Sequence, residues 1–202
     1  MGYLNKLLRV RVNHRMRKNL INKDFSLIAS NCNGTFMCHD LKLQYKSPFV
    51  NLWIYPKDYL KILSDLPGYM QANLEFAKDE NKDYPVGILR DVKIYFQHYA
   101  SEEEAYEMWG RRLARINYDN LFVLFAETDG CTYKDLQAFD ALPYRNKVVF
   151  THRRYPEIES AIPIDGFEAQ GNVDKCYRYK NRFSGLRKYE VFDYVQWFNK
   201  GN

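Results

Sequence analysis

The sequence predicts an α/β fold: a single layered domain with a mainly parallel sheet flanked by helices, and an antiparallel edge hairpin near residues 84–97. Three observations carry this prediction. Leu121-Phe-Val-Leu-Phe-Ala126 is a short unbroken apolar run, the pattern of a strand buried on both faces of a parallel sheet. Strand-like and helix-like stretches then alternate along the second half of the chain, an order that favours helices layered on a sheet. Finally, the apolar run that starts at Phe25 breaks off in Ser30-Asn-Cys-Asn-Gly34 and resumes with helical spacing. That is the signature of a strand, a tight turn and a helix N-terminus.

In chain order, the first strand covers 25–30 and the helix after it runs from about Asn33 to Leu41. Pro48-Phe-Val-Asn-Leu-Trp-Ile-Tyr55 reads as a second, largely buried strand closed by Pro56. Residues 57–66 have helical spacing, and Pro67-Gly68 separates them from a further helical stretch to about Lys78. Tyr84–Leu89 and Val92–Gln97 are strand-like, with Arg90-Asp91 placed as a hairpin turn. Ser101 followed three residues later by Glu104 is a capping box that opens a helix over 102–116, with Ala105, Met108, Trp109, Leu113 and Ile116 on its apolar face. The strand 121–126, a helix 132–142 and a strand 147–151 follow. Short strands near 161–164 and 176–180 and a terminal helix over 189–199 complete the expectation.

With 202 residues, 46% of them hydrophobic, the chain can bury a substantial core as one domain. Its four cysteines, Cys32, Cys38, Cys131 and Cys176, lack disulfide-framework or CxxC spacing, so free thiols are expected and no metal is assigned. No apolar run approaches the roughly 20 residues of a membrane span. The charged start lacks the apolar centre of a secretory signal, so a cytoplasmic location is expected. The net charge of +5 sits in residues 1–24, which hold seven Lys/Arg against one acid; the rest is near neutral, with 23 against 24. That neutral body argues against a nucleic-acid channel. Residues 1–24 form a basic amphipathic segment distinct from the domain at 25–202. Its apolar side is expected to pack on the domain; the alternative is peripheral contact with anionic lipid.

The turn after the first strand is where α/β proteins place chemistry. Free backbone N–H groups and the positive end of a helix dipole there can hold an anion and ease ionisation of a thiol. Cys32 is therefore the candidate nucleophile, with Asn31, Asn33, Gly34 and Thr35 as an oxyanion or phosphate cradle; the same residues also serve as ordinary helix caps. His98, at the end of another strand, is the candidate base that could converge on Cys32. His39 lies two helical turns, about 11 Å, beyond Cys32 and is expected to be a surface histidine. Glu127 and Asp129, after the most buried strand, could orient a histidine, bind a sugar hydroxyl or hold a divalent ion, although Asp129-Gly130 is also ordinary turn chemistry. Arg112 and Arg115 share a helix face and could bind phosphate or simply pair with nearby acids. His152-Arg-Arg154 is a second anion-site candidate, and Tyr177, Tyr179, Phe183 and Tyr189 could stack on sugars or serve as core and rim.

Ser30-Asn-Cys-Asn-Gly34, His39–Leu52, Trp109-Gly-Arg-Arg112 with Arg115-Ile-Asn117, Asp129-Gly-Cys131 and the closing Phe192–Asn199 together resemble a bacterial family of unknown function. The resemblance covers about residues 20–200. Members of that family are often labelled exopolysaccharide or capsular polysaccharide biosynthesis proteins, and the resemblance implies a role in building a surface glycan. It brings no established catalytic residues. Combined with the candidate residues, it leads to the expectation of a transferase that moves an acyl group from a coenzyme A thioester to a hydroxyl of a sugar or polysaccharide precursor. The alternatives are glycosyl transfer from a nucleotide sugar and a noncatalytic, membrane-peripheral assembly factor.

Overall fold

A computed structural model describes residues 3–200. In chain order the elements are α1 (Tyr3–Asn19), β1 (Ser26–Ala29), α2 (Cys32–Leu41), α3 (Pro56–Ser64), α4 (Leu66–Met70), β2 (Leu74–Ala77), β3 (Val86–Leu89), β4 (Val92–Tyr95) and α5 (Glu102–Leu113). They continue with β5 (Leu121–Ala126), α6 (Tyr133–Asp140), β6 (Asn146–Thr151), β7 (Ala161–Pro163), a 3-10 turn (Lys188–Val191) and α7 (Tyr194–Asn199). The fold is α/β. Four parallel strands in the order β1-β5-β6-β7 form the main sheet, and β2-β3-β4 form a separate antiparallel sheet.

Alternation along β5 explains how the layers are held. Val123 and Phe125 face a core shared with α3, α6 and the antiparallel sheet, where they meet Tyr59, Phe139, Leu89 and Ile94. Phe122 and Leu124 face the other way, toward α2, α7 and the C-terminal loops, among Met37, Tyr189 and Phe198. All four are at most 1% exposed. Full burial of each such side chain contributes about 1.5–3 kcal/mol, so β5 is the keel of both layers. Tyr59 ties the helical layer to the sheet through its hydroxyl, which lies 2.9 Å from the Ile28 carbonyl and 3.1 Å from that of Leu124.

The structure departs from the sequence reading in four places. Residues 48–55 are largely buried, with Tyr55 exposed, but form no strand: Pro48 has no N–H, and Asn51 takes a positive φ of 58° that breaks the pleat. Only Trp53 pairs with a strand, bridging Tyr95, while Asn51 N–H donates to Thr35 Oγ1. The helical stretch after Pro67-Gly68 ends at Met70, and Leu74–Ala77 is instead the outer strand β2, on which exposed Glu75 follows buried Leu74. Residues 176–180 contribute a single bridge, Tyr179 to Arg187, rather than a strand. The terminal helix is divided, because Phe192 turns extended after the 3-10 turn and Asp193 then caps α7 by accepting from Gln196 N–H.

The packing of α1 overturns the expectation for the basic segment in its first part, while Met16 and Leu20 pack on the core as expected. Its buried residues are Asn5, Arg9 and Asn13, whereas Leu4, Leu7 and Val10 are 44%, 50% and 66% exposed. Arg9 explains this inversion. Its guanidinium donates to Asp40 at 2.6 Å and to Glu190 at 2.7 Å, and Asp40 also accepts from Arg187 Nε at 2.7 Å and from Asn13 at 3.2 Å. These bonds draw the polar side of α1 inward. Asn5 completes the seam by donating to the Asn181 carbonyl and accepting from Gly185 N–H.

Candidate functional site

The C-terminal end of the parallel sheet opens into a cleft of about 370 Å³. Its floor is the β1–α2 turn, where the Asn31 carboxamide caps α2 by accepting from Asn33 N–H at 3.0 Å. Trp53, Tyr55 and Tyr95 form one wall. Their rings meet edge to face, with centroids 6.1 Å apart for Trp53 and Tyr55 and 5.4 Å for Tyr55 and Tyr95. His98 and Gln97 follow β4, Asp129 follows β5, and Asp174, Lys175 and Tyr177 close the far side. Tyr177 is stacked on Phe36 at 4.8 Å, and its carbonyl accepts from Arg187 Nη1. The Arg9–Asp40–Arg187 cluster therefore also fixes this wall.

The cleft brings together Cys32, His98, Asn31, Asn33 and Asp129 from the candidates named in the sequence. Cys32 and His98 share it without a hydrogen bond between them, and His98 is exposed at the rim. Against the easing expected of a helix N-terminus, burial pushes the Cys32 thiol up to about 11, which favours the neutral form at physiological pH. Asn33 is 2% exposed; its carboxamide engages Cys176 while its Oδ1 is unpartnered among the described residues. All four cysteines are free thiols.

Other candidates serve the scaffold. A Cβ on Gly34 would lie 2.6 Å from that of Ala29, so this glycine lets α2 lie close against β1. Thr35 is spent on Asn51 N–H. Arg112 donates to the Tyr99 hydroxyl and lies over the Tyr45 ring, and Arg115 also lies outside the cleft. Glu127, beside Asp129 in sequence, is 4% exposed and turned toward β6, where it accepts from His152 N–H at 2.9 Å, from His152 Nδ1 at 2.7 Å and from the Tyr155 hydroxyl at 2.9 Å. Glu127 thus orients His152, and its carboxylate is committed. Of the aromatic candidates only Tyr177 reaches the cleft; Tyr189 is fully buried and Phe183 is 72% exposed elsewhere. His39 is a surface side chain on α2, as expected.

The wall Trp53, Tyr55 and Tyr95 escaped the sequence reading. A usable signal existed: Trp53 and Tyr55 are two residues apart in extended chain and so share a face, and Pro48 and Pro56 bracket the stretch. No helix among the described residues is long and apolar enough to cross a membrane.

Comparison with known proteins adds a relationship. An uncharacterised protein of Haemophilus influenzae is 44% identical to this chain over 196 residues, which covers 97% of this chain and 94% of the relative. Residues 3–199, which include every element of the cleft, match the family described as Domain of unknown function (DUF1919), and the chain belongs to that family.

Proposed function

We propose that this protein is a transferase of bacterial surface-polysaccharide biosynthesis that moves an acyl group from an activated thioester donor to a sugar hydroxyl. The observation that carries this reading is the cleft itself, in which an aromatic wall, a helix N-terminus and the His98 imidazole converge at the C-terminal ends of the strands. Aromatic faces stack on the C–H side of a sugar ring, and Asp129, Asp174 and Gln97 can meet its hydroxyls. Lys175, Lys82 and the N-terminus of α2 favour the anionic part of a donor such as coenzyme A. The polysaccharide context rests on the family resemblance.

Because burial holds Cys32 neutral, direct transfer fits better than a cysteine-bound intermediate. The acceptor hydroxyl attacks the thioester carbon while His98 takes its proton, and the donor thiol leaves with that proton as the new ester forms. Cys32 then supplies a compact, neutral wall beside the reacting atoms. Glycosyl transfer from a nucleotide sugar is less favoured, because Glu127 is tied to His152 and the acidic pair that would grip a metal-bound diphosphate is divided.

A thermal-shift comparison of coenzyme A, acetyl-coenzyme A and nucleotide sugars tests the reading, since a ligand that binds only the folded state raises apparent stability. Stabilisation by the coenzyme A compounds, reduced in Trp53→Ala, is expected, as is loss of acyl transfer in His98→Ala. Stabilisation by nucleotide sugars alone would replace acyl with glycosyl transfer, and no shift with any donor would favour a noncatalytic assembly factor.

A further inference from the structure

The outward face of α1 carries chemistry that the cleft does not use. Leu4, Leu7, Arg11, His14 and Lys18 recur at spacings of three and four, which places them on one stripe opposite the buried Asn5, Arg9 and Asn13. Large exposed hydrophobic side chains concentrate on α1 and the segments around it. Apart from four tyrosines, those recorded among the described residues are Leu4, Leu7, Val10, Ile21, Phe183 and Val191. All belong to α1, to the chain just after it, or to the C-terminal loops packed against it. Phe183 sits on the loop that Asn5 holds, and Val191 shares a groove with Arg15.

Every charged residue of α1 is basic, while Glu190 and exposed Asp193 line the neighbouring groove with Arg15 and Val191. Lys6, Arg11, Arg15, Lys18, Lys180 and Arg182 are exposed, and among the described residues none of them forms an ion pair with a carboxylate. The two arginines of α1 that do meet acidic-residue oxygens, Arg9 and Arg17, point inward. A second protein that covered this face would have to be acidic and apolar at once. A bilayer surface rich in anionic phospholipid offers both properties: phosphate groups for the basic side chains and an acyl boundary for isolated Leu, Val, Ile and Phe side chains.

We propose that α1, with Phe183 and Val191, is a peripheral membrane-contact face that lies on anionic lipid. This goes beyond the transferase reading and does not depend on it. The Asp40 cluster serves the face by taking the polar side of the helix inward, so the apolar residues are presented outward on a rigid base.

Co-sedimentation of the full chain with vesicles tests the proposal. The protein should sediment with phosphatidylcholine vesicles containing phosphatidylglycerol and not with phosphatidylcholine alone, and raised salt should release it. Arg11→Gln and Lys18→Gln should each weaken binding roughly fivefold. Leu4→Ser combined with Leu7→Ser should weaken it further while leaving the thermal midpoint unchanged, because both side chains already face solvent. Equal sedimentation with both vesicle types, or none with the anionic ones, would overturn the proposal. So would a doubled mass in sedimentation without vesicles that is lost in the Leu4→Ser, Leu7→Ser variant, since the face would then join two copies of the chain.

Discussion

Asp40→Asn is the most informative single perturbation of the scaffold. Asp40 is 2% exposed and receives Arg9 at 2.6 Å, Arg187 at 2.7 Å and Asn13 at 3.2 Å. Asparagine keeps the shape and removes the charge, which leaves the buried Arg9 guanidinium with Glu190 as its one carboxylate and the buried Arg187 guanidinium with none among the described residues. Breaking a buried pair by neutralising one member costs about 3–5 kcal/mol, because the partner charge stays desolvated. For a chain of this size each kcal/mol lowers the thermal midpoint by about 2–4 °C, so a fall of roughly 6–20 °C is expected. The loss should be spatially specific: hydrogen exchange should rise first in α1 and around Tyr177, whose carbonyl Arg187 holds. The pH dependence has a definite sign. Burial alone would raise the Asp40 carboxyl, but hydrogen bonds and charge from Arg187 and Arg9 outweigh it and hold the group below its ordinary value. The stabilisation is therefore present above the unfolded pKa of about 3.9 and is lost as pH falls through the lower folded value. Wild type should lose this increment on acidification, and Asp40→Asn should lack it at every pH. A change under about 1 kcal/mol with unaltered exchange in α1 would refute the argument and show that apolar contacts alone seat the helix.

Three further outcomes separate cleft from scaffold. At pH 7 Cys32 should react with iodoacetamide about a hundredfold more slowly than an exposed thiol, as its pKa near 11 requires, and peptide mapping would show this; a rate equal to free glutathione would contradict the neutral thiol. Gly34→Ala should cost about 1–3 kcal/mol in chemical denaturation, since the added methyl meets the Ala29 side chain, and a neutral effect would mean that α2 can slide from β1. Glu127→Gln should lower stability by about 1–3 kcal/mol through its bonds to His152 and Tyr155, while donor binding stays within twofold of wild type. Loss of binding at unchanged stability would place Glu127 in the site instead.

The legible parts of the sequence were those where one local signal decides the outcome. The apolar run 121–126, the Ser101 cap with Glu104 and the turn at Asn31 all behave as their residue types dictate. Residues 48–55 were misread because burial and β-branched or aromatic character do not require sheet pairing; a positive φ at Asn51 and side-chain partners satisfy that backbone instead. The orientation of α1 was illegible for a related reason. Periodicity distinguishes apolar from polar positions, but the partners that pull Arg9 inward, Asp40 and Glu190, lie 31 and 181 residues away. At the site, the turn holding Cys32 and the strand end holding His98 were both visible as positions. That both line one cleft depended on how β4 and the 48–55 stretch are placed against the β1–α2 turn, which no local pattern encodes.

The central claim, that the cleft at the ends of β1 and β5 binds an activated donor, is tested most directly by hydrogen exchange of the full chain with and without saturating acetyl-coenzyme A. The expected result is slowed exchange in residues 31–35, 53–55, 95–98 and 174–177, with the sheet interior and α1 unchanged. Protection confined to other segments, or none at a concentration where nucleotide sugars do protect these same residues, would contradict it.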